Sequence, residues 1–130
     1  MLAVIDTNVL VSAMLTTDGT SAQVLGAIRQ GKLEPVLSHD IFLEYVKVLN
    51  RPKFGFDQSQ VASLLEDMTT LALFVKSPLR AMSNLPDPDD ACFIAAALSA
   101  ACPVITGNAR DFPASTGVKI LSPAEALTLL

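Results

Sequence analysis

The sequence predicts an α/β fold in which about five mostly parallel strands are covered by helices on both faces. Three observations carry that prediction. Apolar runs of four or five residues recur along the chain, helix-like segments separate them, and the elements follow the order β α α β α α β α β β α. Length agrees: 130 residues, 51% of them hydrophobic, suit one domain over residues 1–130 whose core outweighs chain entropy without disulfide or metal staples.

Leu2 to Ile5 is a continuous apolar run, the pattern of a strand buried on both faces, and Asn8 to Leu15 follows it directly as a helix. Thr20 or Ser21 caps a helix over Ala22 to Gln30, which buries Val24, Leu25 and Ile28 and stops at Gly31. Glu34 to Leu37 is the second strand. Ser38 or Asp40 caps the next helix, Ile41 to Asn50, which ends ahead of Arg51 because the residue before Pro52 avoids the α region. Helical spacing of Val61, Leu64, Leu65, Met68 and Leu71 marks a helix over Ser59 to Ala72, and Leu73 to Val75 is a third strand. Three prolines make Ser77 to Pro88 a loop. Asp89 to Ala101 is an alanine-rich helix, followed by the strand Pro103 to Thr106 and a turn over Gly107 to Arg110. Val118 to Leu121 is the last strand. Ser122 and Glu125 then form a capping box, with Pro123 at the first helical position.

Composition narrows the function. Nine Lys and Arg against 13 Asp and Glu give a net charge of −4, the wrong sign for gripping nucleic acid through a bulk positive field. Any such contact must be local, or assisted by metal or a partner. The longest weakly polar run, Ala91 to Thr106, falls short of the ~20 residues of a membrane span and is broken by Ser99 and Pro103. Met1 to Leu15 has no basic leader and carries Asp6 and Asn8, unlike a secretory signal, so the chain reads as cytoplasmic. Cys92 and Cys102 lie roughly 15 Å apart along one helix, too far for a disulfide, and are expected to be reduced. With a single histidine, His39, expected at the surface or as a cap, zinc has no support.

Polar residues that follow parallel strands gather at the carboxyl edge of the sheet, where ligands bind. Asp6, in Val4-Ile5-Asp6-Thr7-Asn8, is one of these; an N-cap role for Asp6 or Asn8 fits the same pattern, and spacing does not decide between them. Glu44 sits on a greasy stripe with Ile41 and Val48, between Leu43 and Tyr45. A carboxylate there costs free energy unless it is paired or bound to a cation, and Lys47 or Arg51 are the alternative partners. Asp87, Asp89 and Asp90 repel one another unless a cation or the helix N-terminus compensates; Asp89 suits an N-cap, whereas Asp90 shares a face with Phe93, Ile94 and Ala97. Thr106, Gly107, Asn108 and Asp111 follow the strand Pro103 to Thr106 and emerge at the same edge.

Asp6, Glu44, Asp90 and Asn108 thus form an oxygen-only donor set, which selects Mg²⁺ or Mn²⁺ over zinc or copper. Such an ion activates water and neutralises a scissile phosphate, so metal-dependent phosphodiester hydrolysis is the natural chemistry. Arg29, Lys32, Arg51, Lys53, Arg80 and Arg110 are available for the flanking backbone. Competing chemistries lack their residues: there is no GxSxG, P-loop, GxGxxG or EF-hand loop, and Asp6-Thr7-Asn8 has no second aspartate two residues on, as a phosphoaspartate phosphatase would. The six Phe and one Tyr are scattered at helical positions and read as core rather than as a base-stacking platform.

These residues resemble the PIN-domain family of metal-dependent ribonucleases, many of them toxins of bacterial toxin–antitoxin pairs. The resemblance rests on Val4-Ile5-Asp6-Thr7-Asn8-Val9-Leu10, on Leu43-Glu44-Tyr45 with Leu49-Asn50-Arg51-Pro52-Lys53-Phe54, on Asp87-Pro88-Asp89-Asp90 leading into Ile94-Ala95-Ala96-Ala97, and on Val104-Ile105-Thr106-Gly107-Asn108 with Asp111-Phe112-Pro113. It implies a PIN-like three-layer fold, one or two Mg²⁺ or Mn²⁺ ions held by Asp6, Glu44 and Asp90, an RNA substrate, frequent homodimers and an inhibitory antitoxin. Asn108 would support the ion's shell or orient water, with Thr7 and Asn8 positioning these groups. Many members have an aspartate where this chain has Asn108, a weaker cation donor; Asp111 can supply the missing charge. Two other readings remain at this stage: a PIN-like RNA- or protein-binding module that has lost cleavage, and a flap nuclease of related fold, which the short chain disfavours.

Overall fold

A computed structural model of the chain describes residues 1–76, 90–113 and 116–130. The strands are β1 (Leu2–Ile5), β2 (Glu34–Leu37), β3 (Leu73–Phe74), β4 (Val104–Ile105) and β5 (Ile120–Leu121). The helices are α1 (Thr7–Leu15), α2 (Thr20–Arg29), α3 (His39–Leu49), α4 (Gln58–Leu71), α5 (Ala91–Ala100) and α6 (Pro123–Thr128). Their order matches the predicted one. The sheet runs β3-β2-β1-β4-β5 and every pairing is parallel.

Central position explains the apolar run of β1. Ala3, Val4 and Ile5 are wholly buried, because strands pair on both edges and helices cover both faces. Pro35 sits inside β2 without breaking a ladder. Glu34 N–H donates to Met1 O at 2.8 Å on the β1 side, so the Pro35 nitrogen faces the other side, where β3 begins only opposite Val36.

Stepping from β1 to β2 to β3 runs one way across the sheet, and stepping from β3 to β4 returns past β1. With right-handed crossovers, this reversal puts α1, α2 and α4 on one face and α5 on the other. The packing agrees: α5 lies on β1, β2 and β4, while α2 packs on α1, α4 and α6. Ala96 and Ala97 of α5 are buried, and their small side chains let the helix approach the sheet closely. Between the layers, α3 meets α5 at the carboxyl edge. There the buried Tyr45 hydroxyl donates to Ile5 O at 2.6 Å and its ring lies 6.4 Å from that of Phe93. Burying an aromatic side chain contributes about 1.5–3 kcal/mol, and this hydrogen bond adds about 1 more.

Several boundaries move. α2 starts at Thr20 with Gly19 at the N-cap and no side-chain cap, because Ser21 is buried within the first turn. Gly31 does end it, with φ +78°, the conformation that glycine adopts freely. Ser38, not Asp40, caps α3 through the Ile41 N–H at 3.2 Å. Asp57 caps α4, accepting from Ser59 N at 2.8 Å, and the Ser122–Glu125 capping box forms as predicted. The strands β3, β4 and β5 are shorter than expected. The expected loop Ser77–Pro88, with Arg80 and Asp87, and the expected cap Asp89 lie outside the described residues. Among the described residues, neither cysteine forms a disulfide. Among the described residues, no helix is long and apolar enough to cross a membrane.

Candidate metal centre

The reversal of strand order falls between β1 and β4, and the crevice at the carboxyl ends of such a pair is where open α/β sheets bind ligands. Register does the rest. Ile5 lies opposite Ile105, so the next residues, Asp6 and Thr106, leave the sheet side by side. The Thr106 hydroxyl donates to Asp6 Oδ2 at 2.7 Å and accepts from Asn8 Nδ2 at 3.3 Å and Asn108 N–H at 3.0 Å. Gly107 N–H donates to Asn8 Oδ1 at 3.1 Å, which closes the bridge between the β1–α1 and β4 turns. Asp6 stands at the N-cap of α1, yet its side chain makes no capping hydrogen bond.

A hollow of about 240 Å³ opens here, lined by the carboxyl-bearing residues Asp6, Glu44, Asp90 and Asp111 together with Thr7, Asn8, Val11, Val48, Arg51, Phe54 and Phe93. Each acid arrives from a different element. Asp6 follows β1, Glu44 lies in the middle of α3, Asp90 immediately precedes α5, and Asp111 ends a 3₁₀ turn over Ala109–Asp111. Asp90 occupies the N-cap position of α5 without a side-chain capping bond. The chain therefore places two N-cap acids whose carboxylates do not cap.

Electrostatics reflects the convergence. Burial pushes the Asp6 carboxyl above its ordinary value; the Thr106 hydrogen bond and the nearby Thr7 and Asn8 N–H groups oppose this, while the Asp111 charge adds to it. The Cys92 thiol is pushed up to about 12, first by burial and then by the Glu44, Asp40 and Asp90 charges. Asp40 thus contributes to the negative field around α5, a role its helix-cap pattern does not reveal. Thr7 is 5% exposed, and its Oγ1 is buried with no hydrogen-bond partner among the described residues.

Of the residues singled out in the sequence, Asp6, Thr7, Asn8, Glu44, Asp90 and Asp111 border the hollow. Asn108 does not. It is exposed and donates from Nδ2 to Asp111 Oδ2 at 3.2 Å, so it braces the acid three residues on. Thr106 stands behind Asp6, 1% exposed. Glu44 lies at the margin of the buried face of α3 rather than in the middle of a greasy stripe, since Ile41 is buried but Leu43 is exposed. Arg51 makes no ion pair among the described residues. Among the described residues, no three His, Cys, Asp or Glu side chains stand close enough to ligate one ion as they are placed. The acids border the hollow without closing it. Their chemistry fits a hard cation: every donor is oxygen, one carboxyl is pushed up by burial, and Thr7, whose buried hydroxyl has no partner among the described residues, lines the same hollow.

The basic residues divide. Arg29 pairs with Asp67 at 3.0 Å, and Lys32 lies in the turn before β2, at the amino edge of the sheet; neither borders the hollow. Two roomier hollows lie elsewhere, one between α1, α2 and α4 and one beside the end of α5, and neither is lined by a carboxylate. The aromatic residues also depart from expectation. Phe54 and Phe56 are only half buried, with rings 5.2 Å apart and 10° from parallel, and Phe54 lines the hollow.

A search of curated proteins returns no match. Among solved structures, the chain is similar in fold to the "2.2 A resolution structure of VapBC-1 from nontypeable Haemophilus influenzae", with a TM-score of 0.62 and 17% identity over 95% of this chain and 99% of that one. The model of the PIN domain matches residues 3–110, and the chain belongs to the PIN-domain family.

Proposed function

We propose that the protein is a divalent-cation-dependent ribonuclease that hydrolyses RNA phosphodiester bonds, and that it is the toxin of a toxin–antitoxin pair. One observation carries the nuclease reading. Four acids from four separate elements line a single hollow at the point where strand order reverses. Family membership supports it, since PIN domains are generally nucleases that use divalent ions. The toxin reading is supported by likeness of fold to a protein solved as VapBC-1.

In this reading Asp6, Glu44 and Asp90 hold Mg²⁺ or Mn²⁺, and Asp111 supplies the fourth charge where Asn108 replaces an acid. Asn108 acts through Asp111, as a positioning residue. Thr106 and Asn8 fix the Asp6 carboxylate, and Thr7 lines the hollow. The bound cation supplies Lewis acidity and a more acidic water. It also supplies the positive charge that an acidic chain otherwise lacks where phosphate must sit.

The test is turnover of single-stranded RNA by the purified chain after EDTA treatment and re-addition of Mn²⁺. Cleavage is expected only with the ion, and Asp6→Ala is expected to abolish it while circular dichroism stays unchanged. Cleavage that persists in Asp6→Ala, or in EDTA, refutes the assignment. Failure to bind Mn²⁺ or to cleave in any condition identifies a binding module instead.

A further inference from the structure

The segment that follows α3 carries a second kind of chemistry into the same hollow. Pro52 cannot continue the helix, and two tight turns follow, with Phe54 N–H donating to Arg51 O at 3.1 Å and Gly55 N–H donating to Pro52 O at 3.2 Å. Gly55 has φ +58°, a conformation that costs an L side chain, and it reverses the chain so that the Phe56 ring returns against Phe54. The stack holds the Phe54 ring in place. Lys53 Nζ stands 5.1 Å from the centre of that ring, and Arg51 and Phe54 both border the hollow beside the acids.

We propose that Arg51 and Phe54 form a shelf for one unpaired nucleotide next to the cleaved bond, with Arg51 holding its phosphate and the Phe54 ring stacking on its base. This rests on reading the carboxylate hollow as a phosphodiester-cleaving centre. The charge balance favours it. Four acids repel a polyanion, and Arg51 is an exposed guanidinium at their rim with no ion pair among the described residues. An aromatic ring with a cation beside it takes the face of any base, so the shelf selects single-stranded RNA without reading its sequence. Lys53 sits on an exposed, flexible stem, and a base can displace it from the ring into contact with the next phosphate.

The chain has no tryptophan, so Phe54→Trp installs a unique reporter on the shelf. With Mn²⁺ present, a single-stranded phosphorothioate oligoribonucleotide, which resists cleavage, should quench that tryptophan. The same strand annealed to its complement, or with an abasic site opposite the shelf, should not. By fluorescence anisotropy with a labelled oligonucleotide, Phe54→Leu, which keeps the packing and loses the ring, should weaken binding at least ~5-fold, and Phe54→Tyr should restore it. Arg51→Ala should lower the slope of log K against log salt by about 1. Equal quenching by intact and abasic strands, or wild-type affinity in Phe54→Leu, overturns the shelf. Calorimetry with Mn²⁺ alone separates the two readings. Retained Mn²⁺ binding without base-dependent quenching overturns only the shelf, whereas a wild-type chain that takes no Mn²⁺ overturns the centre and the shelf with it.

Discussion

The two ends of β4 differ in kind. At its carboxyl end, Thr106, Gly107 and Asn108 join Asp6, Asn8 and Asp111 in a chain of hydrogen bonds around a buried carboxylate. At its amino end, Ala101, Cys102 and Pro103 border a hollow shared with Ala97, Leu98 and Val118, where nothing but Lys119 is charged. One short strand thus separates an edge built from polar groups from an edge built by packing. The difference shows what strand order contributes: both edges have turns and hollows, but only the carboxyl edge lies where the chain reverses direction across the sheet.

The sharpest way to break this contrast is Asp6→Asn. At the carboxyl edge, function and stability should move in opposite directions. Mn²⁺ binding and cleavage should be lost, yet the metal-free protein should melt a few degrees higher at neutral pH, because a carboxylate whose ionisation burial opposes is replaced by a neutral group of the same shape. The sign follows from linkage. A carboxyl raised above its unfolded-chain value holds its proton more tightly in the folded state, so stability falls as pH rises from the unfolded value through the folded one. The gain in Asp6→Asn should therefore be full at neutral pH and disappear in acid, where wild-type Asp6 is protonated too. Thermal melts of both proteins in EDTA across that range measure it. A mutant that is less stable at neutral pH would mean that the carboxylate is held by donors rather than awaiting a cation.

Thr106→Val is the next largest. Its hydroxyl serves Asp6, Asn8 and Asn108 at once, so an isosteric apolar side chain leaves three buried or half-buried groups short of a partner. We expect a loss of about 1–3 kcal/mol in urea unfolding and about a 10-fold loss in Mn²⁺ affinity, the usual range for a group that orients a metal ligand. Unchanged Mn²⁺ affinity would show that Asp6 needs no brace.

Thr106 also marks the limit of what the sequence discloses. Asp6, Glu44 and Asp90 are legible because each breaks an apolar pattern: an acid after a buried strand, an acid beside a buried helix face, an acid in register with Phe93 and Ile94. The Thr106–Asp6 bond is not, since it joins residues 100 apart and depends on β4 pairing with β1, which strand order alone decides. Asn108 draws attention as an amide in a turn, whereas the hydrogen bond by which it braces Asp111 needs the path of the 3₁₀ turn. Pro52 marks the end of the preceding helix, but no periodicity reveals that the Arg51–Phe56 segment folds toward the acids. Helix order and strand location depend on local pattern and emerge almost intact, while the α2 cap fails because Ser21 is used for burial instead.

The smallest expected effect belongs to the other edge and sharpens the contrast by its silence. Ala101 ends α5 in the left-handed conformation, at φ +52° and ψ +48°, where its methyl crowds the following carbonyl. Its own N–H still donates to Leu98 O at 3.4 Å, and Cys102 N–H donates to Ala97 O at 3.0 Å, so this reversal of the backbone is what closes the helix and delivers the chain to β4. Ala101→Gly removes the crowding, worth roughly 1–2 kcal/mol, and adds unfolded-chain entropy of roughly 0.5–1, for a net gain of about 0.5–1 kcal/mol. Urea unfolding should show that gain, with Mn²⁺ affinity and RNA cleavage the same as in the wild-type chain. Any change in Mn²⁺ affinity would mean that the two ends of β4 are mechanically coupled, and that the carboxyl-edge site depends on packing at the amino edge as well as on its own hydrogen bonds.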